Sequence, residues 1–422
     1  MNANRRVLAS ATAALLSLTS VVQSEERPMG PVMTAVSSTT LSGYVDSSMI
    51  WKPGSGDAHL PGRAFDGVGK LDGFNLNVVE IQLEKPRSED DWTAGYRIQL
   101  LIGPDANNYN TSLSGRGGVG ATTSDLSVKD AYVALRVPVG NDIDFKVGSF
   151  TTIIGYESFE SYLNPNYSRS FGWQLEPTQH TGVLGSYKAT DAVSFSAGVA
   201  NTWNAGINRR PDRNGTPASE SEKTYMASVS ITAPESWGFL KDSAWYFGVI
   251  DGLASNTRDT TSVYAGGSLK TPVEELSVGG AFDYRFGGPT ASSIPGATTP
   301  GGFAAGGNSW AWAIAGYASF QANEKWKFNA RLDYAEGTDG TYYDRGLNAT
   351  ATAPDGLKNL QNRLGSATLT ADYALWANLI SRAEFRWDHS MSGDKPYGGT
   401  PTSPAPNQRN AVTLALNLIY KF

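Results

Sequence analysis

Few residues in this 422-residue chain are equipped for catalysis or metal binding. There is no cysteine, which removes disulfides, thiol nucleophiles, thiolate zinc sites and iron–sulfur clusters. The three histidines, His59, His180 and His389, lie too far apart for metal-ligand spacing. Gly115–Gly120 matches G-x-G-x-x-G letter for letter. A dinucleotide site needs that run to open a helix behind a buried strand, whereas here it sits in a Ser/Gly-rich stretch that leads into alternating residues. No G-x-S-x-G occurs. A hydrolase would have to pair His180 with a nearby serine such as Ser186, and nothing in their spacing demands it. No catalytic residue, cofactor or metal is expected, so the chain reads as a protein other than an enzyme.

The side chains that could act on a solute are charged groups, and they fall in two sets. One is the segment 151–179, which holds Glu157, Glu160 and Glu176 against the single Arg169, with Tyr156, Tyr162, Tyr167 and Trp173 among them. The other is Arg97, Arg136, Lys146, Lys327, Arg331, Asp333, Arg382, Glu384 and Arg386, each but Arg382, which follows Ser381, placed between apolar neighbours. Charges so spaced line a polar path; they do not assemble a reaction centre.

The elements that place them are strands. Apolar and polar residues alternate in blocks of about ten from Leu41 onward, with scarcely any helical spacing. In 92–102 the apolar face is Trp92, Ala94, Tyr96, Ile98, Leu100 and Ile102. In 326–334 it is Trp326, Phe328, Ala330, Leu332 and Tyr334, with Lys327, Asn329, Arg331 and Asp333 opposite. In 379–388, Leu379, Ala383, Phe385 and Trp387 oppose Arg382, Glu384, Arg386 and Asp388. A soluble sheet also alternates, but its strands average about five to six residues, and about nine to eleven tilted residues cross a bilayer. The charged faces therefore suit a water-filled lumen and the aromatic-rich faces suit lipid.

Composition agrees. Lys+Arg 34 against Asp+Glu 40 gives a net charge of -6, charged residues are only 18%, and Gly (46) and aromatics (11%) are abundant. No long apolar run beyond the first residues supports a polytopic helical membrane protein, and the acidic balance argues against nucleic acid as a partner. Residues 1–24 read as a secretory signal peptide: Arg5 and Arg6, an apolar stretch Val7 to Val22, then Val22-Gln23-Ser24 before Glu25. Residues 25–40 read as a short linker and 41–422 as one barrel domain.

The connections between blocks are expected to alternate: long at 52–73, 104–127, 151–179, 204–223, 254–261, 287–309, 337–364 and 390–410, short at 86–90, 138–142, 189–191, 234–242, 271–275, 322–325 and 376–378. That is the pattern of outer-membrane barrels, with short periplasmic turns and longer outer loops. It predicts an all-β, antiparallel, up-and-down transmembrane barrel of about sixteen strands, fourteen to eighteen allowing for the weak blocks 143–150 and 262–270, with both termini periplasmic. Closure follows because hydrocarbon offers backbone N–H and C=O groups no partner. Trp310, Trp312, Tyr284, Tyr334 and Trp387 collect toward the long loops, and Trp326, Phe320 and Tyr420 toward the short turns, as interfacial girdles do. The chain ends on a ladder of Val412, Leu414, Leu416, Leu418, Tyr420 and Phe422. A last strand ending in Phe is similar to the signal read by the bacterial barrel-assembly machinery, which makes Tyr420 and Phe422 its candidates.

Residues 130–187 resemble the OmpL-like porins, the second of the putative beta-barrel porin families. The carriers are Asp130-Ala131-Tyr132-Val133, Phe145-Lys146-Val147-Gly148-Ser149-Phe150, Ile154-Gly155-Tyr156-Glu157, Asn164-Pro165-Asn166-Tyr167-Ser168-Arg169-Ser170 and His180-Thr181-Gly182-Val183; Gly43-Tyr44-Val45-Asp46 matches the start of the first strand. Ser149 stands where that family usually has a basic residue, and Ile153 lies where it has a Pro nearby, departures that bear on loop detail. The resemblance, extended over about 38–422, implies an outer-membrane channel for small hydrophilic solutes with no enzymatic activity.

A barrel of about sixteen strands leaves an aqueous channel, so narrowing must come from a loop. Segment 151–179 is the candidate: Glu157, Glu160, Arg169 and Glu176 would form a constriction, with the acids facing lumen charges such as Arg97, Arg136, Lys146 or Arg331 across a gap. The expected reading is a passive, water-filled porin of the bacterial outer membrane, exported through the periplasm. Its partners would be outer-membrane lipid, the barrel-assembly machinery, small hydrophilic solutes and, by analogy with trimeric general porins, further copies of itself. The alternatives are an adhesin or structural barrel and, less favoured, a barrel-borne hydrolase.

Overall fold

The structure, a computed structural model, describes residues 38–53, 60, 70, 72–88, 91–108, 126–203, 206–208, 210–211, 221–254, 259–287, 309–338, 341–343, 361–399 and 406–422. The stretches read as signal peptide and as the glycine-rich run 115–120 lie outside the described residues. From Thr40 onward the chain runs through β1 (Thr40–Trp51), β2 (Gly73–Lys85), β3 (Thr93–Ile102), a short α1 (Pro104–Asn108), β4 (Leu126–Val137), β5 (Ile143–Thr151), β6 (Gln179–Lys188), β7 (Val193–Ala200) and β8 (Thr224–Thr232). It continues through β9 (Ala244–Leu253), β10 (Asp259–Lys270), β11 (Leu276–Gly287), β12 (Trp310–Gln321), β13 (Trp326–Thr338), β14 (Gln361–Trp376), β15 (Leu379–Ser390) and β16 (Asn410–Lys421).

Each strand pairs antiparallel with its predecessor and successor, and β1 pairs with β16 to close the sheet into a sixteen-strand barrel. The closing register runs from Tyr44 opposite Lys421 to Trp51 opposite Leu414. Gly43 and Phe422 seal the end of that seam, each backbone N–H donating to the other's carbonyl at 3.0 Å. Among the described residues no strand is left with an edge, which is what a sheet in hydrocarbon requires. The two weak blocks are real strands, β5 and β10, so the expected even count of sixteen holds.

Parity sorts the side chains. On β13, Leu332 is 68% exposed while its neighbours Arg331 and Asp333 are 0% and 6% exposed. The same alternation places Phe385, Trp387, Leu416, Leu418 and Tyr420 outside, opposite the buried Glu384, Arg386 and Asn417. The tight ends use turn chemistry: Asn323 accepts from the backbone N–H groups of Lys325 and Trp326 at 3.0 and 3.1 Å, and Thr190 accepts from Ala192 and Val193 at 3.2 and 3.0 Å. Thr40, at the start of β1, pairs with Glu84 beside the short β2–β3 turn, so the barrel begins and ends at the short-turn rim.

Length alternation fails at one place. The connection 254–258, expected to be long, is no longer than the turn 271–275 and shorter than the turn 233–243, which carries a 3₁₀ segment, Glu235–Leu240, that brings the Trp237 ring to 5.9 Å from Trp245. That turn adds aromatic surface at the rim, so its length reports girdle packing and not which side of the barrel it lies on.

Outward positions tolerate charge according to depth. Leu332→Arg, at mid-strand, should destabilise the barrel by about 2–4 kcal/mol in urea unfolding from lipid vesicles, and Leu41→Arg, near the rim, by about 0–1 kcal/mol. Equal costs at both positions would mean that these residues do not face a bilayer at different depths.

Candidate constriction site

The residues between β5 and β6 form no surface loop. Their first arm, Ile153 and Ile154, packs on the inner wall with Phe150, Leu184, Met226 and Ile250. Tyr156 then stacks on Tyr317 of β12 at 4.2 Å between ring centres. That approach needs a bare backbone on β11, since a Cβ at Gly279 would lie 2.1 Å from the Tyr156 hydroxyl. Asn164 ties the next turn to itself: its side chain accepts from Ser158 N at 2.7 Å and donates to Ser158 O at 2.6 Å.

Beyond Tyr156 the loop crosses to the charged wall. Glu157 accepts from Arg331 Nη1 at 3.0 Å with one oxygen and from Ser170 N and Oγ at 2.8 Å with the other. Arg331 also donates to Asp333 at 2.9 Å, to the carbonyls of Ser168 and Arg169 at 2.7 and 3.1 Å, and to Thr368 at 3.3 Å. Arg382 pairs with Asp372 and donates to the Ser161 and Asn164 carbonyls at 2.8 and 3.1 Å. Arg386 is clamped by Asp388 and donates to Arg169 O at 2.5 Å. Glu384 works in the opposite sense, accepting from the backbone of Tyr167 and Ser168 at 2.5 and 3.0 Å. Three wall arginines thus hold loop carbonyls while one wall glutamate holds loop amides. Charge-assisted bonds of this kind are roughly twice as strong as neutral ones.

On the facing side Glu160 meets Lys129 and accepts from Gln99 at 3.1 Å. Burial works to raise the Glu160 carboxyl, but the Lys129 ammonium and the hydrogen bonds to it hold it below the ordinary range. Tyr156 and Tyr162 are both pushed up to about 12, by burial first and then by Glu157 and Glu160 respectively.

Of the four bases expected to face the loop acids, only Arg331 does so, and it does so by contact. Arg97 pairs with Glu84 at 2.8 Å, Arg136 with Asp144 at 3.1 Å, and Lys146 lies 5.0 Å over the Tyr132 ring. Lys327 is half-buried on β13, opposite Asp372 in register. Arg169 turns inward on its own loop: it donates to Tyr167 O and Phe159 O at 2.7 Å each and lies over Trp173, stapling the loop internally. Lys129 was missed because the β3–β4 register shifts between Gln99 and Leu100, a bulge that turns Ser127 to Asp130 all toward buried positions and breaks period two. The adjacent charges Lys129-Asp130 were the available signal. The His180–Ser186 pair does not assemble: His180 contacts Thr152 Oγ1 and Thr202 O, and Ser186 bonds Ser196 at 2.9 Å.

A closed barrel of sixteen strands, polar within and crossed by an inward loop, has recognisable relatives. The family described as Putative beta-barrel porin-2, OmpL-like, matches residues 38–422. The chain belongs to that family. No curated protein matches it. Among solved structures it is similar to an anion-selective porin from Comamonas acidovorans (11% identity, 91% of this chain and 99% of that one, TM-score 0.56). It is also similar to the outer-membrane channel DcaP of Acinetobacter baumannii (13%, 91% and 97%, 0.54) and to the trimer form of OmpT of Vibrio cholerae (10%, 91% and 99%, 0.53). At those identities the likeness is one of fold. The OmpL-like chain is a porin-type barrel, and its family points to the bacterial outer membrane.

Arg331→Met leaves the Glu157 and Asp333 carboxylates inside without their guanidinium. It should cost about 3–5 kcal/mol in the same unfolding assay. Adding Glu157→Gln and Asp333→Asn should recover most of that loss; a triple variant no better than the single one would show that the three groups are not coupled.

Proposed function

We propose that this porin is a passive, water-filled channel for small hydrophilic solutes and ions, narrowed by the loop between β5 and β6, with no catalytic role. The observation that carries the reading is the loop itself, bonded through its backbone to Arg331, Arg382, Glu384 and Arg386 inside a barrel whose outer face is apolar. Glu157 and Glu160, covered by their partners Arg331 and Lys129, anchor the loop to the wall beside the path, with Glu176 near the end of the loop, while Arg169 stiffens the loop behind them. The inner-wall charges that remain half-buried, Arg97, Arg136, Lys146 and Lys327, sit nearer the short turns and would meet solutes at that mouth.

The short-turn rim, with both termini, faces the periplasm in this reading. Residues 1–24 are removed after export, 25–40 link to the barrel, and Tyr420 and Phe422 present the last strand to the assembly machinery. Homo-oligomers are expected, as trimers occur in the similar OmpT structure.

Purified barrel in a planar bilayer should give discrete current steps; a folded, inserted barrel without them would favour an adhesive or structural role. Glu157→Lys combined with Glu160→Lys should move the reversal potential in a salt gradient toward anion preference, most clearly at or below about 0.1 M salt where screening is weak. An unchanged reversal potential would remove these two carboxylates from the ion path.

A further inference from the structure

The trailing end of the loop is held by chemistry unlike the rest. Its leading and middle parts are tied by apolar packing and by pairs of opposite charge, whereas the Glu176 carboxyl faces the carboxyl of Asp283 on β11, which itself lies against the loop at Gly172. Two carboxylates facing each other out of water repel, and a single proton between them turns that repulsion into a hydrogen bond.

The contact is built into the backbone on both sides. Gly155 has φ of 117°, and a Cβ there would lie 2.2 Å from Glu176 Oε2. At Gly172 a Cβ would lie 2.2 Å from Asp283 Oδ2. Two glycines of the loop therefore clear the space that the two carboxyls occupy.

The groups described around the pair are mainly acidic and phenolic. Burial first, then the charges of Asp283 and Glu157, push Glu176 well above the ordinary carboxyl range. Glu157 is already committed to Arg331 and Ser170. Tyr264 on β10 lies within electrostatic reach of both carboxyls, and Tyr342 within reach of Arg285 and Asp283. Arg285, two residues along β11, lies 6.0 Å from the Trp203 ring.

We propose that Glu176 and Asp283 share one proton and form an acid-closed clasp between the trailing arm of the loop and β11, so that alkaline pH releases the arm and widens the path. The inference rests on the channel reading and adds its regulation. The sign follows from the weakened acidity: an acid weaker in the clasped state binds its proton more tightly there, so clasping is favoured at low pH and lost as pH rises. Each unit of displacement changes the ratio of clasped to released forms by about tenfold.

The test uses the whole chain reconstituted in planar bilayers, with conductance recorded from pH 5 to pH 9. Wild-type conductance should rise across that range, and Glu176→Gln, which keeps the hydrogen bond without the ionisation, should stay at the low-conductance level throughout. Identical pH profiles in the two proteins would overturn the clasp. A second readout is independent of current. Because the chain has no cysteine, Leu175→Cys, placed at a fully buried position next to the clasp, gives a single thiol. Its rate of modification by a water-soluble maleimide, divided by the rate for the unfolded chain at the same pH, should climb about tenfold or more between pH 6 and pH 9. That rise should vanish when Glu176→Gln is added. A rate ratio independent of pH would refute the clasp. Absence of current at every pH in a folded barrel, with the thiol profile as expected, would instead refute the channel and leave the clasp standing.

Discussion

A guanidinium on the inner wall of a closed barrel, once covered by protein, has no route back to bulk water and must find acceptors where it stands. Arg331 and Arg386 are 0% and 1% exposed, and leaving such ions without partners would cost several kcal/mol each. Asp333 and Asp388 on the same strands supply part of the answer, and Glu157, Thr368 and the carbonyls of Ser168 and Arg169 add to it. The segment between β5 and β6 is thereby drawn across the lumen. Its own amides at Tyr167 and Ser168 are in turn satisfied by Glu384, so wall and loop complete each other's hydrogen bonding.

This arrangement presupposes the seam between β1 and β16. Closure satisfies the backbone, and once the backbone is satisfied only the side chains distinguish the two faces, one toward lipid and one toward the lumen. The relation also explains how structures only 10 to 13% identical share the fold. What is common is a period of two and a closing register, which many residue choices can meet.

The strands were legible because one-residue slips would expose their charged face to lipid, and the pattern at Trp326 to Tyr334 or at Val412 to Phe422 admits no other phase. The loop was legible as an acid- and aromatic-rich segment of unusual composition, and Glu157 with Arg331 was within reach. Other partners were not. Lys129 is hidden by a bulge, Arg169 turns back on its own loop, and Asp283 looks like any inward polar residue until Glu176 is beside it. Those contacts depend on how a long segment crosses the lumen, and neither composition nor spacing carries that information. The longer turn 233–243 misleads for a related reason, since its length answers to ring packing between Trp237 and Trp245.

Constriction of the lumen depends on the loop being bonded to the β13–β15 wall, and the contact of Asn166 Nδ2 with Thr370 Oγ1 at 2.7 Å offers a direct probe. With Asn166→Cys and Thr370→Cys the otherwise cysteine-free chain would carry two thiols facing each other in the lumen. A short bifunctional thiol reagent applied to the folded, membrane-inserted protein should join them into one covalent ring, seen by mass after proteolysis. Free, singly modified thiols at both positions in a folded barrel would mean that the loop lies elsewhere.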